Sequence, residues 1–142
     1  ADGTRWLVDE GIADPDRICI VGWSYGGYVA AMATIQTPDQ YRCAASINAV
    51  LGLPGQVARN VRYRSGRLAN ASDIDVPLLL IHARDDARTD FDIAKSLANR
   101  LSDADKPVEF VDIPFGGHTL ENIDARKAVL AALQRFLVQH NP

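Results

Sequence analysis

The sequence predicts an α/β fold in which a parallel sheet lies between two layers of helix. Three observations predict it. Short apolar runs alternate along the chain with longer segments of helical periodicity, the pattern of successive βαβ units with right-handed crossovers. One run, Val76-Pro77-Leu78-Leu79-Leu80-Ile81-His82, is apolar almost throughout, as a central parallel strand covered on both faces must be. The run Ile18-Cys19-Ile20-Val21 leads through Gly22-Trp23-Ser24-Tyr25-Gly26-Gly27 into the helix-forming Tyr28-Val29-Ala30-Ala31-Met32-Ala33. Strand, sharp turn and helix thus follow one another, with a serine at the tip.

Taken in order, residues 2–10 read as the end of a helix, with Trp6, Leu7 and Glu10 at helical spacing and Gly11 as its C-terminal cap. Ala13-Asp14-Pro15-Asp16 is a turn, and Arg17 to Val21 the first strand. The helix after the serine runs to about Gln36 and stops at Thr37-Pro38, because a residue before proline disfavours helix. Within Tyr41 to Val50, Cys43-Ala44-Ala45-Ser46-Ile47 makes a second short strand. Leu51 to Asn70 carries no clear period. Its Gly52, Pro54, Gly55 and Gly66, with Arg59, Arg62, Arg64 and Arg67, suit a solvated loop or short helix, and Arg62, Tyr63 or Arg64 could line a substrate pocket. Val76 to His82 is the third strand. Asp90 then caps an amphipathic helix whose apolar face is Phe91, Ala94, Leu97, Ala98 and Leu101. Asp103 to Lys106 is a polar turn, and Val108 to Ile113 a fourth strand closed by Pro114. A last helix runs from about Asp124 to His140, with Val129, Leu130, Leu133, Phe136 and Leu137 as its apolar stripe.

A chain of 142 residues is long enough for one domain with a sizeable core, and no repeat or linker divides it. Its net charge of −3 argues against nucleic acid or a polybasic membrane contact as partner. No apolar run is as long as a membrane span. The opening Ala1-Asp2-Gly3-Thr4 is neither basic nor apolar, so the expected compartment leans to the cytoplasm. Cys19 and Cys43 both lie in strand-like runs and read as buried free thiols. A disulfide between them would need adjacent strands in register and an oxidising compartment. Without a CxxC or a nearby histidine they imply no metal, and no cofactor is expected.

Gly22-x-Ser24-x-Gly26 between strand and helix is the nucleophile-elbow pattern. So tight a turn forces the serine into a strained conformation, and a Cβ at the flanking glycines is expected to clash. A serine needs a base to take its proton, and the base needs an orienting acid. In a parallel α/β sheet such groups gather at the carboxyl ends of the strands. Ser24 follows the first strand, Asp85 or Asp86 the third, and His118, in Gly116-Gly117-His118, the fourth. The order Ser, Asp, His is that of the α/β-hydrolases. His82, at the end of a buried run, suits a packed role, and His140 lies at the end of the last helix.

The segments Gly22-Trp23-Ser24-Tyr25-Gly26-Gly27-Tyr28, Val76 to His82 followed by Ala83-x-x-Asp86, and Gly117-His118 together resemble the catalytic domain of the prolyl oligopeptidase (S9) family of serine peptidases. The resemblance implies an α/β-hydrolase-type three-layer αβα domain. Residues 1–142 would be its C-terminal portion, with the N-terminal strands outside this chain. It implies that Ser24 attacks the scissile carbonyl, that His118 transfers the proton and that Asp86, four residues after His82, orients the imidazole. The Tyr25 N–H would be one oxyanion donor, with Trp23, Tyr63 and Thr89 on the substrate side. It implies cleavage of short peptides through an acyl-enzyme, with two rivals: an esterase on the same fold, or a silent fragment that oligomerises. The partners implied are a peptide substrate and either a second copy of the chain or the N-terminal part of a longer peptidase. That part would bring a tyrosine hydroxyl as second oxyanion donor. Three departures bear on specificity: Ala83 replaces a glycine, Thr89-Asp90 stand where Val-Pro is common and make a pocket wall more polar, and Leu51 to Asn70 is short.

Overall fold

In the computed structural model, which describes residues 2–52 and 74–142, each apolar run becomes a strand of one parallel sheet. The strands β1 (Cys19–Trp23), β2 (Cys43–Ile47), β3 (Leu78–Ala83) and β4 (Val108–Ile113) lie side by side in chain order. All three pairings are parallel, with Val21 opposite Ala45, Ala45 opposite Leu79 and Leu79 opposite Glu109. Every position of β2 and β3 is buried, whereas β1 and β4 are only partly covered. That is why β3 shows no polar alternation: both of its faces meet helices.

Among the described residues four helices accompany the sheet: α1 (Asp2–Asp9), α2 (Tyr25–Gln36), α3 (Phe91–Asp103) and α4 (Ile123–His140). Successive strand residues point to opposite faces, so β3 splits its leucines between two cores. Leu78 and Leu80 pack with Tyr28, Ala31 and Met32 of α2 and Leu97, Ala98 and Leu101 of α3. Leu79 and Ile81 pack on the other face with Ala125, Val129, Ala132 and Phe136 of α4. The expected three-layer α/β-hydrolase-type arrangement is therefore present. The predicted caps are also in place. The Asp90 carboxylate accepts from the Asp92 and Ile93 amides, and the Gly11 amide donates to the Val8 carbonyl, with Gly11 at φ +69°.

Several boundaries shift for local reasons. Pro15–Arg17 forms a 3-10 turn that Asp14 caps by accepting from the Asp16 amide, so β1 starts two residues later than Arg17 and runs through Trp23. The cap of α4 is Asn122, which accepts from Asp124 N–H at 2.7 Å. Leu130 is not part of the buried stripe of α4; it is 65% exposed, and the buried face includes the small Ala125 and Ala132. Alanines let the helix approach the sheet closely, and a periodicity count that weighs large side chains overlooks them. Residues 53–73, which hold Arg59, Arg62, Tyr63, Arg64 and Arg67, lie outside the described residues.

The cysteines require a correction. Cys19 and Cys43 are not free thiols; they form a disulfide. They are register partners at the first positions of β1 and β2, with Cα atoms 4.7 Å apart. The crossover through α2 sets that register, and the separation of 24 residues does not reveal it. Such bonds form and persist chiefly in oxidising compartments. Closing a loop of that length stabilises the fold by about 3 kcal/mol in the chain-entropy account. Thermal unfolding with and without reductant is expected to show that loss, and a Cys19→Ala, Cys43→Ala variant is expected to melt at the reduced value in both conditions.

Candidate active site

β1 ends at Trp23 and α2 begins at Tyr25, so a single residue, Ser24, makes the turn. Its φ of 59° and ψ of −118° lie outside the regions open to ordinary L-residues, a local strain of the kind kept only where the surroundings enforce it. The enforcement is visible. Ser24 N–H donates to the Ile47 carbonyl at 2.9 Å, and the Ser24 carbonyl accepts from Tyr28 and Val50, which ties the elbow to the end of β2. A Cβ on Gly22 would stand 2.0 Å from the Gly26 carbonyl oxygen, and one on Gly27 would stand 2.8 Å from the Ala49 Cβ. The expected clash at Gly26 is absent, since a Cβ there meets nothing within 4 Å among the described residues. The steric demand falls on Gly22 and Gly27, because the first turn of α2 lays the Gly26 carbonyl, not its Cα, against β1.

The Ser24 side chain makes no capping bond to α2. Its Oγ lies 2.9 Å from His118 Nε2. His118 Nδ1 lies 2.8 Å from Asp86 Oδ2. The structure thus brings Ser24, His118 and Asp86 into one hydrogen-bonded line, although they come from the ends of β1, β4 and β3. With Nδ1–H given to the carboxylate, Nε2 is left as the acceptor for the serine hydroxyl. The Asp86 side chain has no exposed surface, and that of His118 is 9% exposed.

Asp86 is heavily supported. Oδ1 accepts from the Arg88 and Thr89 amides at 2.8 and 2.9 Å, and Oδ2 accepts from Thr89 Oγ1 at 2.5 Å. Burial pushes this carboxyl up, but the hydrogen bonds from the Thr89 hydroxyl, His118 and the Thr89 and Arg88 amides outweigh it. The net result lies below the ordinary value of 3.8, so Asp86 is a carboxylate wherever the imidazole is to be oriented.

Two residues expected on the substrate side have their polar atoms engaged within the site. Thr89 is buried, and its hydroxyl serves Asp86 instead of a pocket wall. Trp23 donates Nε1–H to the His118 carbonyl at 2.9 Å, with its ring centroid 5.3 Å from the imidazole, so it braces His118 while remaining half exposed. Tyr25 is the first residue of α2, directly after Ser24, and is half exposed. Tyr63 lies outside the described residues. His82 is fully packed, with Nε2 3.2 Å from Thr89 Oγ1 and an edge-on contact to Phe91. His140 packs its ring at a tilt against Phe136 at the end of α4. Sequence reasoning missed Asn48, a fully buried polar side chain just past β2 that bonds to the backbone around His118. Its one signal is a polar residue directly after an apolar strand, at a carboxyl end. Among the described residues, no group of three or more His, Cys, Asp or Glu is placed to hold a metal, and no helix is long and apolar enough to cross a membrane.

The geometry can be set beside known proteins. The model of the prolyl oligopeptidase family (peptidase S9) matches residues 1–60 and 51–141. Dipeptidyl aminopeptidase BIII of Pseudoxanthomonas mexicana is 27% identical, over 97% of this chain and 24% of its own length. Dipeptidyl peptidase 4 of Bos taurus is 25% identical, over 97% of this chain and 20% of its own. The solved acylaminoacyl peptidase of Pyrococcus horikoshii superposes with a TM-score of 0.73 at 25% identity, covering 94% of this chain and 25% of that one. The chain therefore spans about a quarter or less of the length of these relatives. With the elbow, the parallel sheet and the family model in agreement over nearly all of its residues, this chain belongs to the prolyl oligopeptidase family and has its α/β-hydrolase fold.

Proposed function

We propose that these residues are the C-terminal portion of an S9 serine peptidase catalytic domain, and that they hydrolyse short peptides through a covalent acyl-enzyme. The observation that carries this reading is the continuous hydrogen-bonded line from Ser24 Oγ through the His118 imidazole to Asp86. In the first step His118 Nε2 takes the hydroxyl proton as Ser24 Oγ adds to the scissile carbonyl carbon. Asp86, held charged by its own hydrogen bonds, stabilises the imidazolium that forms. The new oxyanion receives the Tyr25 N–H at the start of α2, where the helix dipole also favours negative charge. Collapse of the adduct breaks the C–N bond, and the imidazolium returns the proton to the leaving amine. Water then repeats the sequence on the ester, releasing the acid and restoring Ser24.

The relatives named above act as peptidases by their names, which supports a peptide as substrate. Because the chain spans so small a share of their length, we assign the second oxyanion donor to an N-terminal segment of a longer polypeptide. The test is labelling with a fluorophosphonate, with Ser24→Ala as control, followed by turnover of a peptide anilide against a short-chain p-nitrophenyl ester. Labelling that disappears in Ser24→Ala, with hydrolysis of the anilide, is the expected result. A folded protein that takes no label would establish a silent remnant, and turnover of the ester alone would establish an acyl hydrolase.

A further inference from the structure

His118 sits in an awkward place for a general base. It follows Gly116 and Gly117, the second of them at φ +59°, so the backbone leading to it has much freedom to lose. It also lies beyond the end of β4, where no strand ladder holds it. Yet its ring must meet Ser24 and Asp86 at once, within the narrow geometry that proton transfer demands.

The loop is held by side chains. Asp85 Oδ1 accepts from the Gly116 and Gly117 amides at 3.0 and 2.9 Å. Asn48 Nδ2 donates to the Gly117 and His118 carbonyls, both at 3.0 Å. Asn48 Oδ1 accepts from the Ala83 amide at 2.9 Å, so the same side chain also grips the end of β3. Its amide therefore uses both donors and its acceptor, which a fully buried amide must do to avoid a desolvation penalty. Asn48 stands at φ 44°, a conformation asparagine tolerates better than most residues. Gly116 is closed on its other side by the Glu121 amide, which donates to its carbonyl.

We infer that Asp85 and Asn48 are positioning residues for the base, clamping the Gly116-Gly117-His118 loop by its N–H groups and its carbonyls respectively. Neither touches a reacting atom. The two neighbouring aspartates then support the base in two ways, since Asp86 holds the imidazole ring and Asp85 holds the backbone that carries it. Asp85 does so with a charge, which strengthens its bonds to the two amides. Asn48 joins the ends of β2 and β3, since its own amide donates to the Ile81 carbonyl, and Val50, two residues on, donates to the Ser24 carbonyl. Removing either side chain leaves the loop's backbone polar groups to water and lets the imidazole wander from its line.

This inference rests on the proposed roles of Ser24, Asp86 and His118. Its test uses the whole polypeptide that carries these residues, assayed for kcat and KM on a peptide anilide, for fluorophosphonate labelling rate and for thermal midpoint. Asp85→Ala is expected to lower kcat by about 10- to 100-fold, the scale of a misplacement near 1 Å, with KM within about twofold. Labelling should slow in parallel while the thermal midpoint stays close to that of the parent, because Asp85 is on the surface. Asp85→Asn keeps one acceptor oxygen and is expected to recover part of the loss. Asn48→Ala should fall in the same direction, and the double variant should lose less than the product of the singles, since both free the same loop. Asp85 carries the decision if Asn48→Ala does not fold. Unchanged kcat in Asp85→Ala, or an Asp85→Asn variant no better than alanine, overturns the clamp. Turnover that survives in Ser24→Ala would instead overturn the catalytic reading beneath it.

Discussion

Replacing His118 by alanine is expected to lower kcat on the order of 10⁶-fold, and replacing Asp86 by asparagine about 10⁴-fold. The two effects differ because the residues do different things. Without the imidazole, Ser24 Oγ has no hydrogen-bonded base among the described residues, and the hydroxyl is a poor nucleophile. In Asp86→Asn the imidazole remains, but the new side-chain amide could offer an N–H to Nδ1 and impose the wrong tautomer, leaving a protonated Nε2 facing Ser24. The double variant should be no slower than His118→Ala alone, because an orienting group has nothing left to orient. Steady-state turnover of a peptide anilide, checked by single-turnover labelling, measures all three. A fall of less than tenfold in His118→Ala would remove His118 from the role of base.

The second large effect is expected at Gly22. A methyl group there would meet the Gly26 carbonyl oxygen at 2.0 Å, its carbon at 2.2 Å and the Gly27 nitrogen at 2.7 Å. These are backbone atoms of the first turn of α2, and no side-chain rotation relieves them. The helix must move off β1, which takes Ser24 away from His118. Overpacking a well-packed core costs about 1–3 kcal/mol where side chains and backbone can shift, and a clash with fixed backbone should exceed that range. Gly22→Ala is therefore expected to lose more than about 3 kcal/mol in urea unfolding and to take no fluorophosphonate label. Gly26→Ala is the matched contrast. Its Cβ has open space among the described residues, and alanine favours helix over glycine by up to about 1 kcal/mol, so it should be neutral or stabilising and should still label. Equal damage at both positions would mean that the elbow is not held by the contact between Gly22 and Gly26.

Much of this arrangement is legible in the sequence. β3 announces itself because a strand covered on both faces has no polar side to show. The elbow is legible because strand, turn and helix are contiguous in the chain, and the pattern of glycines around Ser24 describes a local geometry. The proposed base is legible from glycines next to a histidine at a strand end. The choice between Asp85 and Asp86 is not open to residue spacing alone. Both leave the same turn, and only the resemblance favours Asp86. In the structure the turn sends Asp86 to the imidazole and Asp85 to the Gly116 and Gly117 amides. The resemblance, not residue spacing, likewise puts Thr89 and Trp23 on the substrate side. Their polar atoms turn out to be engaged with Asp86 and the His118 carbonyl.

The sequence by itself determined the order of strands and helices, the turn that exposes Ser24 and the kinds of group available to act on it. Those follow from short-range rules: side-chain period, the conformational range of glycine and proline, and the caps written beside each helix. Tertiary structure decided everything that depends on register across a crossover. It joined Cys19 to Cys43, chose alanines over Leu130 for the buried face of α4, and placed Asn48 between two strand ends and the His118 loop. Such contacts link residues far apart in the chain. The distance between them is set by how helices pack on a twisted sheet, a property of the assembled layers that no local stretch carries.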